Sequence, residues 1–470
     1  MKGMKKAMGI FLGVIVCLSG CTFAPTYERP AAPVPAHWPN GPAYQDAAIV
    51  TGAPTASELR WQEYFPDEKL HQVLTLAIAN NRDLRLAVLN VERARALYGI
   101  QRAGLLPTLN AVGSAGKQLV PGDLTSSGNA TNLEQYSLNL GINAWEIDFF
   151  GRIRSLKDSA LEGYFATVQA RRSAQILLVS AVANTYLALA ADQESLRLVT
   201  STLQAQEAAY KLIRKRYTVG VSSELDLNRA QSQVDTARGD MARYTQLAAQ
   251  DQNALQLLVA SPLPGELMPP ELGSISTPPE VSAGLSSELL LQRPDVLAAE
   301  HGLKAANANI GAARAALFPR ISLTTSIGTA SADLSGLFKG GQGTWSFSPS
   351  ITIPIFDARS WSAYNVTKIE MQMSQLQYEK AIQTAFREVA DVLAVRGTVN
   401  QQLAAQRSLV DAVAKTYRLS NLRYHKGIDS YLEVLDAQRS LYVVQQGLIA
   451  LQVIRFSNFV NLYKVLGGGA

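Results

Sequence analysis

The most constraining feature of this sequence is an internal repeat. The segment RYTVGVSSELDLNRAQ begins at Arg216, and the similar segment RYHKGIDSYLEVLDAQ begins at Arg423. A second echo pairs RAGLLP at 102–107 with RAALFP at 314–319. The repeat unit is about half of the chain, which is far longer than the 20–50 residues of a solenoid repeat. The sequence therefore predicts a pseudo-symmetric body made of two similar halves. The positions shared by the longer motif are Tyr217, Gly220, Leu225, Ala230 and Gln231 in the first copy and Tyr424, Gly427, Leu432, Ala437 and Gln438 in the second.

The N-terminus has the features of an export signal. Three lysines precede an apolar run over 7–18 that is too short for a stable membrane-spanning helix. The run ends in Leu-Ser-Gly-Cys, which is typical of the site where a lipoprotein signal peptidase acts and Cys21 is acylated. An ordinary secretory signal with a chance cysteine is the alternative. Thr22, rather than an aspartate, favours sorting to the outer membrane of a Gram-negative cell.

Composition excludes several classes of function. Once the signal is removed, Cys21 is the single cysteine, so no intramolecular disulfide or thiolate metal site is expected. The four histidines are scattered, the net charge is only +5, and basic residues form no stripe suited to nucleic acid. We expect no metal and no cofactor. No apolar run of twenty residues follows the signal, so the chain either stays peripheral or spans the membrane as strands.

Four segments alternate apolar and small polar residues with the period of a strand. They form two hairpins, over 107–149 in the first half and over 319–356 in the second. A lipid-facing apolar side, a water-facing polar side and aromatic residues near the strand ends are typical of a membrane β-barrel. Four strands cannot close a barrel, so chains would have to share one. A small soluble sheet on a helical core is the alternative. The aromatic residues in question are Tyr136, Trp145, Phe149, Phe150, Trp345, Phe356 and Trp361.

The remaining segments predict very long helices. A helix from about Arg152 to Arg216 would run roughly 95 Å at 1.5 Å per residue. Alternating three- and four-residue steps indicate a coiled-coil seam whose small and polar members pack weakly. Ordinary core stripes of a helical bundle remain the alternative for any single helix. The seam positions are Val179, Ala183, Tyr186, Ala190, Leu203, Gln206, Tyr210, Ile213 and Tyr217, with Leu403, Gln406, Val410, Val413, Tyr417, Ser420 and Tyr424 in the second half.

These patterns divide the chain into five parts. They are a signal peptide over 1–20, an extended tether over 21–66, a first repeat over 67–260, a Pro-rich linker over 261–284 and a second repeat over 285–470. The first repeat has its helix turn near 217–226 and the second near 424–436. One helix is expected from about Asp67 to Leu106.

Together, the lipoprotein signal, the two helix–hairpin–helix halves and the two Tyr-x-x-Gly turns resemble the TolC-like outer membrane factors. The runs IGAARAA at 310–316, LDAQRS at 435–440 and NLYKVLGGG at 461–469 are similar to the lipoprotein branch that serves multidrug RND pumps. The resemblance implies a homotrimer in which three chains share a twelve-stranded transmembrane β-barrel. Long helices would continue it as an α-helical barrel across the periplasm, to which a periplasmic adaptor and an inner-membrane RND pump dock.

Two interpretations of the acidic residues at the turns stay open. Gly220 and Gly427 are suited to the left-handed conformation that ends a helix. Asp226 and Glu433 lie three residues after a serine, so they could be capping-box acids favoured by the helix dipole. Alternatively, Glu433 and Asp436 share a helix face and would present rings of carboxylates around a narrow mouth in a trimer.

The resemblance implies that these turns form the periplasmic gate. Carried over by position, the gate residues are Tyr424, Leu432, Glu433, Asp436 and Arg439 in the second turn, with Asp226 in the first, while Tyr217, Gly220 and Gly427 shape the turns. We expect closure to rest on Leu432 at the axis with Asp436–Arg439 links around it. Some relatives have an arginine where this chain has Asp429, so one closing salt bridge is expected to be absent or made differently, and the mouth to be more anionic.

The sequence therefore predicts a non-enzymatic, passive outer membrane channel for drug efflux. Two alternatives remain at this stage. One is a duct for metal-ion efflux or type I secretion, and the other is a non-conducting coiled-coil lipoprotein that scaffolds the periplasm. The dispersed methionines and histidines do not favour the metal role.

Overall fold

A computed structural model describes residues 22–47, 59–279, 281 and 287–468. The predicted signal peptide and Cys21 lie outside the described residues. The described ranges contain eight α-helices and one four-stranded sheet. The helices are α1 (Trp61–Tyr64), α2 (Glu68–Asn80), α3 (Arg82–Ala103), α4 (Arg152–Thr218), α5 (Glu224–Val259), α6 (Pro294–Ala315), α7 (Ala358–His425) and α8 (Tyr431–Val465). The strands are β1 (Leu109–Val120), β2 (Thr131–Ile147), β3 (Arg320–Ser331) and β4 (Gly343–Thr352).

The described residues form two compact units. Unit 1 comprises residues up to 31 together with 90–168 and 298–378, and it contains the sheet. Unit 2 comprises 32–89, 169–297 and 379–470, and it contains both turns between long helices. The five-part division of the chain drawn from the sequence stays a prediction.

Two helices have the exceptional length predicted from the sequence. α4 has 67 residues and α7 has 68, which corresponds to roughly 100 Å each. α4 begins where the carboxylate of Asp148 accepts hydrogen bonds from the backbone N–H groups of Ile153 and Arg154, which would otherwise lack partners at a helix start. It continues because no proline or glycine interrupts it after Gly163.

The seam predicted on these helices is confirmed by burial except at Tyr217, which is 40% exposed. On α4, the side chains of Val179, Ala183, Tyr186 and Ala190 are fully buried. On α7, Leu403 is buried, and the seam positions from Gln406 to Tyr424 are half-buried between exposed neighbours. An 18-residue window of α4 is apolar enough to cross a membrane, but 61% of it is buried inside the fold, as in the core helix of a bundle.

The single helix predicted from Asp67 to Leu106 is wrong, because the chain breaks at Asn81. Asn81 has extended backbone angles between α2 and α3. Its side-chain oxygen accepts from the backbone N–H of Leu84, and its amide donates to the backbone oxygen of Leu258. A side chain that offers the backbone an alternative hydrogen bond competes with helix continuation, which explains the break.

The four strands form one antiparallel sheet in the order β1-β2-β3-β4. The two predicted hairpins are therefore joined side by side through β2 and β3. A register shift lies between Ile142 and Trp145, where Ala144 has a φ of 50° and donates its N–H to the hydroxyl of Thr324. Such an irregularity bends and twists a strand locally.

The register separates the sheet into an apolar face and a small polar face. Residues directly opposite each other in antiparallel strands lie on the same face. One face carries the rows Leu109–Ile142–Thr325–Phe347 and Ala111–Leu140–Ile327–Trp345. The other carries Asn110–Gly141–Ser326–Ser346 and Val112–Asn139–Gly328–Thr344. Apart from Val112, these two polar rows offer hydroxyls, amides and backbone, which suits contact with water, while the two apolar rows suit lipid.

The aromatic residues predicted near the strand ends differ in exposure, and Tyr136, Trp145 and Phe149 are half-buried. Trp345, Phe356 and Trp361 are largely exposed, as an interfacial girdle requires. Phe150 instead belongs to a cluster in which its ring packs on Phe318, and both rings stack with Phe23. For Phe150 the expectation of a girdle residue is therefore wrong, because its ring is used to hold the N-terminal segment.

An arginine placed on each face of β4 should distinguish these two environments. We expect Phe347→Arg to make the free energy of membrane insertion less favourable by roughly 2–4 kcal/mol, because Phe347 lies in the middle of the apolar face. Ser348→Arg, on the adjacent exposed position of the polar face, is the matched control. The fraction of chain that resists carbonate extraction would be measured. Equal insertion of the two variants would contradict the assignment of the faces.

Candidate gate at the two helix turns

The turn between α4 and α5 is a Schellman motif. Gly220 has a φ of 77°, its N–H donates to the backbone oxygen of Tyr217, and the N–H of Val221 donates to that of Arg216. The left-handed conformation is favourable for glycine because it has no Cβ. The role of Gly220 predicted from the sequence is confirmed.

The same motif ends α7. Gly427 has a φ of 73°, and its N–H donates to the backbone oxygen of Tyr424, while the N–H of Ile428 donates to that of Arg423. The two halves therefore reverse the chain with one backbone geometry, as the repeated Tyr-x-x-Gly motif predicted. The side chains after each turn differ, and that difference bears on the gate.

Asp226 is a helix-capping residue. Its carboxylate accepts hydrogen bonds from the hydroxyl and the backbone N–H of Ser223, and the Ser223 hydroxyl accepts from the backbone N–H of Asp226. The hydrogen bond from the Ser223 side chain lowers the pKa of this carboxyl below its ordinary value. The capping interpretation is thus confirmed for Asp226, whose Oδ2 accepts the capping hydrogen bonds while the carboxylate stays ionised.

Glu433 behaves differently from its counterpart in the first turn. Ser430 begins α8 without a side-chain capping bond, so the predicted second capping box is wrong. Glu433 is exposed, and its carboxylate forms no side-chain hydrogen bond or ion pair within the ranges that the structure describes. The exposed positions Glu433, Asp436 and Arg439 follow one another on a single helix face, as predicted, while Val434, Leu435 and Ala437 are buried.

Asp436 and Arg439 form an ion pair within α8. The Nη2 atom of Arg439 lies 3.0 Å from Oδ1 of Asp436, and both side chains are more than half exposed. An exposed pair at this spacing stabilises its helix by only a few tenths of a kcal/mol. Both groups therefore remain accessible to another chain. Leu432, at the start of the same helix, is half-buried.

Asp429 does not add a free negative charge to the turn. Its carboxylate accepts two hydrogen bonds from Arg423, with oxygen–nitrogen distances of 2.6 and 2.9 Å. Hydrogen bonding to this guanidinium lowers the pKa of the Asp429 carboxyl, which keeps it ionised. The charge of Asp429 is therefore compensated inside the second turn, while the more anionic mouth of a trimer stays a prediction.

Arg216 and Tyr424 connect the ends of the two long helices. The Nη1 atom of Arg216 donates to the hydroxyl of Tyr424 at 2.5 Å, and its guanidinium lies 5.6 Å from the centroid of that ring. The Tyr424 ring also packs edge-on against Tyr431 of α8. This contact of Arg216 was not predicted from the sequence. Its place in the repeat, opposite Arg423, was the available signal.

A second polar link joins α5 and α8 farther along the helices. The hydroxyl of Tyr442 donates to Asp240, and Gln446 donates to the hydroxyls of Tyr442 and Tyr244. Tyr442 and Tyr244 also pack against a buried cluster formed by α4 and α5. This network joins the returning helices of the two repeats, and no sequence motif indicated it.

Titratable side chains do not assemble into a metal site in the described part of the chain. Within 22–47, 59–279, 281 and 287–468, no group of three or more histidine, cysteine, aspartate or glutamate side chains could hold a metal ion. The arrangement at the turns is one of ion pairs, aromatic contacts and caps. Such contacts can hold helices together or release them.

Comparison with known proteins gives a consistent result along the chain. A model of the outer membrane efflux protein family matches residues 73–261 and 285–468. The probable efflux pump outer membrane protein TtgC of Pseudomonas putida is 48% identical, and the match covers 96% of this chain and 93% of that protein. Outer membrane protein OprJ of Pseudomonas aeruginosa is 40% identical over 99% of this chain and 96% of its own length.

Solved structures agree with the fold. The open state of the Neisseria gonorrhoeae MtrE outer membrane channel is similar with a TM-score of 0.86 and 38% identity, over 96% of this chain and 98% of that one. The predicted fold class is confirmed: four strands per chain contribute to a trimeric outer membrane β-barrel that long helices continue. The chain belongs to the outer membrane efflux protein family.

Proposed function

We propose that the chain forms the passive exit duct of a tripartite system that exports drugs or other small toxic compounds. The partners would be a periplasmic adaptor and an inner-membrane RND pump, which supplies the energy. Relatives between 47% and 48% identical are named for antibiotic, toluene and solvent efflux, which supports small and mostly apolar substrates. No catalytic role is proposed for the carboxylates at the turns.

One observation carries this proposal: the sheet has a lipid-suited face and two free edges. β1 and β4 each pair on one side only within the described chain. With 12 and 10 residues, both strands reach the length of about 9–11 residues that a tilted strand needs to cross a bilayer. Unpaired backbone groups are very costly in lipid, so each edge needs a strand from a neighbouring chain. A closed barrel with a polar interior is a duct.

We propose further that acylation of Cys21 anchors the chain and that the turns close the duct. The closing contacts would be Leu432 at the axis, the Asp436–Arg439 pairs around it, and Arg216 with Tyr424 holding the helix ends together. Opening would then require that α7 and α8 move away from α4. Because these are exposed, weak contacts, a docked adaptor could release them at small cost.

Loss of closure should be visible as leakage into cells. We expect Leu432→Ala and Asp436→Ala to increase the uptake of a large antibiotic such as vancomycin several-fold, because each removes a contact that narrows the mouth. Leu225→Ala is the matched control, since Leu225 occupies the same repeat position and is 59% exposed. Vancomycin susceptibility would be measured at equal protein levels. Cells as impermeable as wild type would contradict the gate assignment.

The uncapped acids should set ion selectivity. In a planar bilayer we expect a small cation-selective conductance that grows or loses selectivity in Glu433→Ala/Asp436→Ala, because a trimer loses its exposed ring of carboxylates. Glu224→Ala, which removes an exposed acid from the start of α5, is the control. If the reversal potential is unchanged in the double variant, the role of these acids in ion selectivity is contradicted, but the proposal of a duct is not.

The Tyr424 hydroxyl should contribute to closure separately from its ring. Tyr424→Phe removes the acceptor for Arg216 but keeps the packing on Tyr431. A hydrogen bond of this kind contributes about 1 kcal/mol, so we expect roughly a fivefold rise in the open fraction of single-channel recordings. Tyr217→Phe, at the equivalent and 40% exposed position of the first repeat, should record like wild type. Similar changes in both variants would argue against a specific Arg216–Tyr424 latch.

A further inference from the structure

The polar face of the sheet carries charged side chains at one end only. Within the four described strands, the side chains of this face are hydroxyls, amides and small apolar groups, apart from Glu146 near the end of β2 and Arg320 at the start of β3. Next to them the hydroxyl rows begin, with Ser322 directly opposite Ser350. We name the end of the sheet that holds Glu146 and Arg320 the foot.

Two carboxylates at the foot each have a guanidinium of their own. Glu146 accepts two hydrogen bonds from Arg152, both at 2.8 Å, and its side chain is only 16% exposed. Asp148 pairs with Arg154 at 3.2 Å and is 7% exposed. A bidentate contact between a guanidinium and a carboxylate is the strongest form of this interaction, so Arg152 is the main partner of Glu146. These four charges therefore cancel in two pairs.

A third carboxylate, that of Asp357, is compensated at the start of α7. It accepts hydrogen bonds from the backbone N–H groups of Arg359 and Ser360, and the Arg359 guanidinium lies 3.9 Å away. A carboxylate in this position stabilises the first turn of a helix. Asp357 and Arg359 thus add one charge of each sign to the foot.

Arg320 is the charge left over at the foot. Its Nε atom lies 3.4 Å from an oxygen of Glu146 that Arg152 already contacts at 2.8 Å, and its side chain is 57% exposed. Because each of the three carboxylates is matched by another guanidinium, one positive charge per chain remains uncompensated among these groups. The groups are Arg152, Arg154, Arg320 and Arg359 with Glu146, Asp148 and Asp357.

The lumen is narrow enough for a ring of such charges to act across it. Twelve strands that lie about 4.8 Å apart and are tilted by about 40° enclose a cylinder of roughly 12 Å radius. The Debye length is about 30 Å at roughly 0.01 M salt and about 3 Å at roughly 1 M. The Arg320 charges of a trimer therefore reach the axis at low salt, whereas at high salt their field ends close to the wall.

We propose that Arg320 forms a basic ring at the foot of the β-barrel and sets the ion preference of the membrane-spanning part of the duct. The ring attracts small organic anions and repels cations, while the uncharged rows beyond it do neither. This inference rests on the duct of the proposed function and deepens it. It assigns a preference for anions to a section of the duct that is separate from the acidic residues of the second helix turn.

Bilayer recordings from the full-length trimer test the ring. The parent protein would carry Glu433→Ala/Asp436→Ala, so that the acids of the second turn do not mask the foot. In roughly 10 mM salt we expect Arg320→Gln to raise the ratio of cation to anion permeability about twofold or more, because each chain loses the uncompensated charge. In roughly 1 M salt the parent and the variant should give the same ratio, because the charge is then screened.

Two further variants serve as controls. Lys117 lies on the opposite, apolar face of the sheet, where it pairs with Glu134. Lys117→Gln also removes one basic charge per chain from the sheet, yet it should leave the permeability ratio of the parent unchanged. Arg320→Lys keeps the charge and should record like the parent, which separates the effect of charge from that of side-chain shape.

The outcomes distinguish the ring from the duct. If Arg320→Gln and the parent have the same permeability ratio in low salt, the ring is overturned and the duct stands. An equal change in Lys117→Gln would also overturn the ring, because the effect would then not depend on the face of the sheet. If well-folded trimers of all variants fail to conduct, the duct itself is contradicted, and the ring with it.

Discussion

Everything in this protein depends on backbone hydrogen bonds that one chain cannot complete. Each chain supplies four strands, and the outer sides of β1 and β4 lack partners within the described residues. In water such edges favour aggregation by pairing with other strands, and in lipid their unpaired backbone groups carry a very high free-energy cost. The apolar face of the same strands favours lipid, so membrane insertion and assembly have to occur together. Trimer formation is therefore a condition for the fold and not an addition to it.

The long helices of the two repeats are stabilised and terminated in the same way. Helices of about 100 Å gain little from intrinsic propensity and are stabilised by the seam that each one buries. On α4 that seam includes the fully buried Ala183, Tyr186 and Ala190, whereas on α7 it is mostly half-buried. Each half ends its long helix with the same glycine motif, because any other residue would be strained at that backbone angle.

Much of this architecture was predictable from sequence, and the failures have physical causes. Period-two alternation located all four strands, and long stretches with no Pro and a single Gly each located α4 and α7, because both signals are local. The break at Asn81 was missed since it depends on a side chain reaching Leu258, far away in the sequence. The pairing of Arg423 with Asp429 and of Arg216 with Tyr424 was missed for a related reason: the turn geometry has to be known before side chains around it can be matched.

The two turns share a backbone conformation but differ in the side chains that follow it. In the first turn the carboxylate of Asp226 caps its own helix through hydrogen bonds with Ser223. In the second, Ser430 leaves Glu433 uncapped, and the exposed face of α8 keeps an acid and an ion pair available to a neighbour. The two repeats therefore share one backbone reversal but differ in the charge that they leave exposed. In the gate that we propose, substitution of the exposed side chains of the second turn would alter closure without disturbing the helix reversal that both repeats need.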